Sequence, residues 1–255
     1  MKEKISINGI DKAVIKDGKS FQILRDVSFF INQGEIACIL GPSGCGKSTL
    51  LRLAAGFDKP DKGTIRIDGN ELPGPSADSI LVFQDFNQLL PWKTVMENVL
   101  YPLKVNGIGS SKKEREAIAA ANLEMVGLED FRSSYPHQLS GGMKQKAALA
   151  RALAVKPSVL LMDEPFGSLD AMTRNKMQSL LLEIWRKTGV TIAFVTHDVQ
   201  EAIILGDRII LMDKNPGRIH NILQNQLERP RDIGSPGFAQ MYDKTYGMLE
   251  GLDNQ

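Results

Sequence analysis

The sequence predicts an α/β fold built on a parallel sheet, and three observations carry that expectation. Four short apolar runs, residues 36–40, 80–83, 159–162 and 192–196, are continuous rather than alternating. Continuous apolar strands are those covered on both faces, as in a parallel sheet flanked by helices. The residues beyond these runs are Gly41, Gln84, Asp163 and His197, each able to meet a phosphate or its metal. Ligands of such sheets bind outside the carboxyl ends of the strands. Finally, the first run leads into Gly41-Pro42-Ser43-Gly44-Cys45-Gly46-Lys47-Ser48-Thr49, which fits the phosphate-loop pattern G-x-x-x-x-G-K-[ST]. One such run reads equally well as a buried strand before an ordinary loop. Four of them, one carrying a complete phosphate loop, point to a single crevice.

Along the chain, the segments around Ser6-Ile7, residues 22–24, residues 27–31 and residues 63–67 with an Asp68-Gly69 turn are short and β-rich. They read as an antiparallel sheet beside the core. After the phosphate loop a helix is expected, with Leu50, Leu51 and Leu53 packing it onto the sheet. From Trp92 to about Lys156 the pattern is mainly helical: Lys112–Met125 has helix-forming composition, and residues 143–155 are Ala/Leu-rich until Pro157 stops them. Residues 180–185 and Val199–Leu205 read as further core helices. Beyond Met212 the chain is punctuated by Pro and Gly, with a helical stretch near 238–249.

Each candidate site residue has a chemical reason. Glycines let successive backbone donors converge on an anion, and the following helix presents its positive end. Lys47 is expected to bridge the β- and γ-phosphates and Ser48 to ligate Mg²⁺, while Thr49 caps the helix or contacts the α-phosphate. Asp163 suits the Mg²⁺-site carboxylate, acting directly or through water. Glu164 diverges from it on leaving the strand and is the expected general base for an attacking water. Gln84 offers a donor and an acceptor to Mg²⁺ and to that water. His197, within Thr196-His197-Asp198, is expected to hydrogen-bond the γ-phosphate and orient the set. His137 and His220 have no such context, and no His or Cys spacing supports a separate metal site. Leu89-Leu90-Pro91-Trp92 reads equally as core or as an apolar docking patch.

A second glycine-rich segment stands downstream, Leu139-Ser140-Gly141-Gly142-Met143-Lys144-Gln145. It opens a helix, so its hydroxyl and free N–H groups make another anion-binding helix tip. It is followed by Leu160-Leu161-Met162-Asp163-Glu164-Pro165-Phe166-Gly167-Ser168-Leu169-Asp170 and by Val195-Thr196-His197-Asp198. With the phosphate loop, this pattern resembles the ATP-binding cassette superfamily over nearly the whole chain. Val82-Phe83-Gln84 before Leu89-Leu90-Pro91-Trp92, Ser140-Gly141-Gly142-Met143, Ile184-Trp185 and Arg229-Pro230-Arg231-Asp232 resemble one branch of it, the ATPase subunits of bacterial importers for nitrate, sulfonate, taurine and related solutes.

The resemblance implies a P-loop NTPase (RecA-like) core with a parallel sheet, an N-terminal antiparallel β subdomain and an inserted α-helical subdomain. Within one nucleotide-binding domain spanning 1–255, it assigns 1–87 and 157–213 to the core with its β subdomain. Residues 88–156 form the helical subdomain and 214–255 a C-terminal extension. It further implies ATP and Mg²⁺ as cofactors and a homodimer in which Ser140, Gly141 and Gly142 meet the γ-phosphate held by the other protomer. Asp170 then sits at the dimer seam, and the loop beginning at Gln84 senses the permease. The expected activity is ATP hydrolysis driving a separate membrane permease, fed by an extracytoplasmic solute-binding protein, from the cytoplasmic face of the membrane. Two positions depart from the family pattern. The stretch 14–18, where an aromatic usually stacks on adenine, has none, leaving Phe21 as the nearest candidate; Lys146 stands where Arg is commoner, losing bidentate pairing.

Composition narrows the alternatives. The chain has 255 residues, 42% apolar and 24% charged, with 31 basic against 30 acidic side chains. That length suits one large domain, or one with an inserted subdomain. Near-neutral charge gives no support to general nucleic-acid binding. A non-transport cassette ATPase acting on nucleic acid or ribosomes is the alternative, but such proteins carry a long coiled-coil insertion or two fused cassettes. A nucleotide-binding regulator without turnover is disfavoured by the complete set Gln84, Asp163, Glu164 and His197. Cys38 and Cys45 are unsuited to a mutual disulfide and fit a reducing compartment. Residues 1–4 lack a signal-peptide apolar stretch, and no apolar run approaches the ~18 residues needed to span a bilayer. The expectation is therefore that another chain supplies any membrane crossing.

Overall fold

The structure, a computed structural model, describes residues 2–83 and 88–253. In chain order the first elements are β1 (Glu3–Lys16), β2 (Lys19–Asn32), β3 (Ile36–Leu40), α1 (Lys47–Ala54), β4 (Lys62–Ile67) and β5 (Asn70–Glu71). Next come β6 (Ser79–Val82), α2 (Val95–Val105), α3 (Lys112–Met125), α4 (Gly141–Leu153), β7 (Val159–Asp163) and α5 (Ala171–Thr188). The last are β8 (Thr191–Thr196), α6 (Val199–Leu205), β9 (Arg208–Met212), β10 (Ile219–Gln224) and α7 (Pro236–Asp253). The chain divides into two compact units, one comprising the chain up to Ser76 and from Gly189 onward, the other Ala77–Thr188.

In the first unit, β3 lies parallel between β8 and β9, and β10 pairs antiparallel with β9. Every residue of β3, β8 and β9 is buried. That burial is the physical meaning of their unbroken apolar character: both faces are covered, so no alternation is required. The register pairs Leu40 with Thr196, so the two strands release Gly41 and His197 at the same level. Glu35, just before β3, forms a buried ion pair with Arg208, the first residue of β9. The Arg208 guanidinium also covers the Phe30 ring at 4.5 Å. The second sheet runs in the order β2-β1-β4-β5 and is antiparallel throughout.

The expected pair of short strands at 22–24 and 27–31 is one strand, β2, carried past Asp26, which takes a φ of 49°. Register shifts against β1 accompany that bend, as bulges allow a long strand to twist without ending.

In the second unit, β6 and β7 are parallel and Val82 pairs with Met162. Phe83 and Asp163 therefore follow that pair at one level. Helix α3 has the bounds the sequence predicts, because Ser111 caps its start by accepting the Glu114 N–H at 3.1 Å. Helix α2 begins with a reciprocal capping box between Thr94 and Glu97. The expected helix at 180–185 lies in the C-terminal half of the longer α5. Among the described residues no helix is long and apolar enough to cross a membrane.

Candidate functional site

The first unit carries the phosphate loop. Gly46 stands at the start of α1 with φ 99°, and a Cβ there would lie 2.6 Å from Leu24 Cδ2. Only glycine fits, because both the backbone angle and the neighbouring β2 exclude a side chain. Leu50, Leu51 and Leu53 are buried and seat α1, as the apolar pattern predicts. Lys47 is 5% exposed. Its ammonium donates to the carbonyls of Gly41 at 2.7 Å and Pro42 at 3.0 Å, with Cys45 Sγ at 4.0 Å. Among the described residues it has no ion-pair partner. A buried cation facing neutral acceptors is unfavourable unless an anion compensates it. The backbone N–H groups of Gly44 and Gly46 meet no protein acceptor among the described residues. Exposed Ser43, Gly44 and Ser48 form the open lip of the loop, and Thr49 is half-buried behind it. Burial pushes the Cys45 thiol up from its ordinary value. The donor set thus fits a polyphosphate.

His197 stands beside this loop, exposed, in the one-residue link between Thr196 and Asp198. That link is braced: the Thr196 hydroxyl donates to the Glu201 carboxylate at 2.6 Å and accepts the Asp198 N–H at 3.0 Å. Asp198 in turn caps α6 by accepting the Glu201 N–H at 3.1 Å. On the hairpin of β1 and β2, Val14 lies directly opposite Phe21, 41% and 48% exposed respectively.

The second unit carries the remaining candidates. Asp163 is the last residue of β7 and half-buried. Glu164, also half-buried, takes φ 43°. A non-glycine residue in the left-handed region stores strain of order 1–3 kcal/mol, and such residues cluster at functional sites. The chain bends at Glu164 directly after β7, where the sequence leads one to expect the two carboxylates to diverge. Gln84 lies outside the described residues. Among the described residues nearby, Gln88 exchanges two hydrogen bonds with the Phe83 backbone, at 3.3 and 3.0 Å, and donates to Gln145 Oε1 at 3.3 Å. Arg151 donates to the Gln88 carbonyl at 2.7 Å. Sequence reasoning missed Gln88 and Arg151 altogether. Gln145 was visible there as the last letter of the glycine-rich segment, without a partner.

Ser140 is exposed at the tip of α4, where its hydroxyl accepts the Met143 N–H at 3.3 Å. Gly141 opens the helix, and Gly142 is buried so closely against α5 that a Cβ would come within 2.6 Å of Thr173 Cγ2. Asp170 is exposed and caps α5 by accepting the Thr173 N–H at 3.0 Å. Hydrogen bonds from the Thr173 side chain and backbone hold its carboxyl below the ordinary value. His137 is exposed and stacks on Tyr135, with ring centroids 5.8 Å apart; His220 is exposed on β10. Among the described residues no cluster of His, Cys, Asp and Glu could hold a metal by itself.

The family pattern described as "ABC transporter" matches residues 24–167. An aliphatic sulfonates import ATP-binding protein of Bacillus thuringiensis subsp. konkukian is 43% identical over 246 residues, covering 96% of each chain. A taurine import ATP-binding protein of Jannaschia sp. is 44% identical over 252 residues, covering 94% of this chain and 91% of the relative. Among solved structures, a dimeric post-hydrolysis state of an ATP-binding cassette bound to ADP and Pi superposes with a TM-score of 0.78. It shares 34% identity and covers 88% of this chain and 100% of that one.

Proposed function

The chain belongs to the ABC transporter family, and on that premise we propose that it is the ATP-hydrolysing subunit of an importer, energising uptake of a small solute of the sulfonate, taurine and nitrate class. The observation that carries the chemistry is the buried Lys47 ammonium, held by neutral carbonyls at the head of a helix, beside the Gly44 and Gly46 amides that meet no acceptor among the described residues. Hydrolysis of ATP to ADP and phosphate needs little covalent help from the protein, so positioning and charge stabilisation dominate.

In this reading Gly41 to Gly46 wrap the β-phosphate with backbone donors, and Lys47 balances charge on the β- and γ-phosphates. Thr49 contacts the α-phosphate. Ser48, Gln84 and Asp163 would hold Mg²⁺, which would supply positive charge to the phosphate oxygens. Glu164 accepts a proton from the attacking water as its oxygen bonds the γ-phosphorus and the bond to the bridging oxygen breaks. His197 donates to a γ-phosphate oxygen and Gln84 orients the water. Ser140, Gly141 and Gly142 of a second copy complete the γ-phosphate site, with Asp170 at the seam between copies. The exposure of Ser140 and the dimeric assembly of the solved relative support this arrangement. Opposite Val14, Phe21 offers the adenine a flat apolar surface.

The partners are a second copy of the chain, membrane permease subunits and, through them, an extracytoplasmic solute-binding protein. The site of action is the cytoplasmic face of the membrane. Residues 88–156 serve as the helical subdomain and 214–255 as a C-terminal extension of the core. No observation favours a nucleic-acid role: the longest helix between Lys47 and Asp163 among the described residues is α3, with 14 residues.

Glu164→Gln tests the proposal. The variant is expected to bind ATP normally, to lose turnover and to accumulate as an ATP-bound dimer on size-exclusion chromatography. Turnover at the native rate would remove Glu164 from its role. Stimulation of the native ATPase by co-purified membrane subunits would identify the transport partner; indifference to them would count against the importer reading.

A further inference from the structure

The C-terminal segment contains Arg229 and Arg231, which the chemistry described so far does not use. Both reach the same target, the carboxyl end of α6. Arg231 Nη1 donates to the carbonyls of Ile203, Ile204 and Gly206 at 2.7, 3.0 and 2.8 Å. Asn225 Nδ2 donates to those of Ile203 and Gly206 at 2.8 and 3.0 Å. Arg229 Nη2 takes the Leu205 carbonyl at 2.5 Å, while its Nη1 pairs with Asp207. Asp207 accepts the Ile36 N–H at 2.9 Å, which ties the same strap to the first residue of β3.

These are the carbonyls that a helix leaves without intrahelical partners. Cations at a helix carboxyl terminus also meet the negative end of its dipole. Helix α6 has seven residues, about 10 Å of length, too short to hold its own shape in water. At its other end it is braced to Thr196 and Asp198, the two residues that flank His197. The helix is therefore a strut with His197 at one end and the arginine strap at the other. Burial draws Arg231 down to about 10, so Arg231 remains charged at neutral pH.

We propose that Arg231, assisted by Arg229 and Asn225, is a positioning residue that sets His197 through α6. It touches no reacting atom. Its loss lets the strut shift or fray, and the imidazole then misses the γ-phosphate; a misplacement of about 1 Å can cost about a hundredfold in rate. The proposal rests on the reading of His197 given above.

The test measures kcat and the ATP KM of the full chain, assembled with its membrane subunits, for R231M, R231K, H197A and the R231M/H197A double variant. R231M is expected to lower kcat about tenfold with KM changed less than about twofold, because the effect lies in orientation and not in nucleotide binding. In the H197A background the same substitution is expected to cost nothing further, since residues acting through one another are not additive. R231K keeps the charge but replaces a planar guanidinium, whose Nη1 meets three carbonyls while its Nε donates to the Leu227 carbonyl at 3.0 Å, with one ammonium, and is expected to fall between. Native kcat in folded R231M, an equal fall in the H197A background, or a rise in KM matching the fall in kcat would each overturn the proposal. If R231M does not fold, R231K decides: a fall in kcat that disappears in H197A supports the strut, and native kcat removes it. Native turnover in H197A alone would instead refute the role of His197, so the two failures are distinct.

Discussion

Lys47 shows how a site can be read from one buried charge. An ammonium at 5% exposure whose acceptors are two backbone carbonyls has lost its hydration without gaining a countercharge from the described chain. That deficit favours an anion far more than a neutral ligand. Lys47→Ala removes charge-assisted bonds worth about 1.5–3 kcal/mol each. ATP affinity by titration calorimetry should then fall at least about tenfold, and unchanged affinity would refute the loop assignment. Phe21 is the second residue to weigh. Its cross-strand neighbour Val14 shares its face of the hairpin, as directly opposed residues do. An aromatic stack contributes about 0.5–1.5 kcal/mol, so Phe21→Ala is expected to raise the ATP KM about two- to tenfold with little change in kcat. A KM at the native value would leave the adenine without Phe21 as its platform.

At the scale of elements, the helix tips separate structural from functional capping. Ser140 caps α4 and Thr94 caps α2 by the same kind of bond. Each substitution to alanine is expected to cost about 1 kcal/mol of stability. If Ser140 also binds phosphate, Ser140→Ala must depress ATPase activity well beyond what Thr94→Ala does in the isolated chain. Equal effects of the two variants on turnover, at equal melting temperature, would reduce Ser140 to a cap. The elements also differ in how legible they were. The bounds of α3 followed from a cap and composition. Strand β9 went unassigned because its apolar run, residues 209–212, ends in no chemistry-bearing motif. The expected pair of strands merged into β2 because a bulge at Asp26 costs less than breaking the ladder with β1.

Across the whole molecule, the proposed machinery is divided between the two compact units: Lys47, Ser48 and His197 belong to one, Ser140, Asp163, Glu164 and Asp170 to the other. Neither unit holds a complete set. Stability across the molecule is expected to depend on acid in one direction. Arg52 holds the Asp58 carboxyl below its ordinary value of 3.8, the Ala13 N–H and Lys12 do the same for Asp61, and Ser110 for Glu114. A carboxyl depressed by folding stabilises the native state above its unfolded pKa and loses that contribution as pH falls through the folded value. The melting temperature should therefore hold steady down to about pH 4 and drop below it. A melting temperature that rises on acidification in that window would contradict these pairings.

The sequence by itself determined the fold class, the four apolar strands β3, β6, β7 and β8, and which side chains stand as candidates. These are local properties: an unbroken apolar run needs two covered faces, and a glycine-rich turn before Lys47 admits few other uses. Only the tertiary structure decided the pairings that set levels and angles. Leu40 beside Thr196, Gln88 joined to Gln145 and Arg151, and the arginine strap on α6 link residues far apart in the chain. A guanidinium reaching three carbonyls leaves no periodic trace in sequence, because nothing in local spacing records which helix end it will meet.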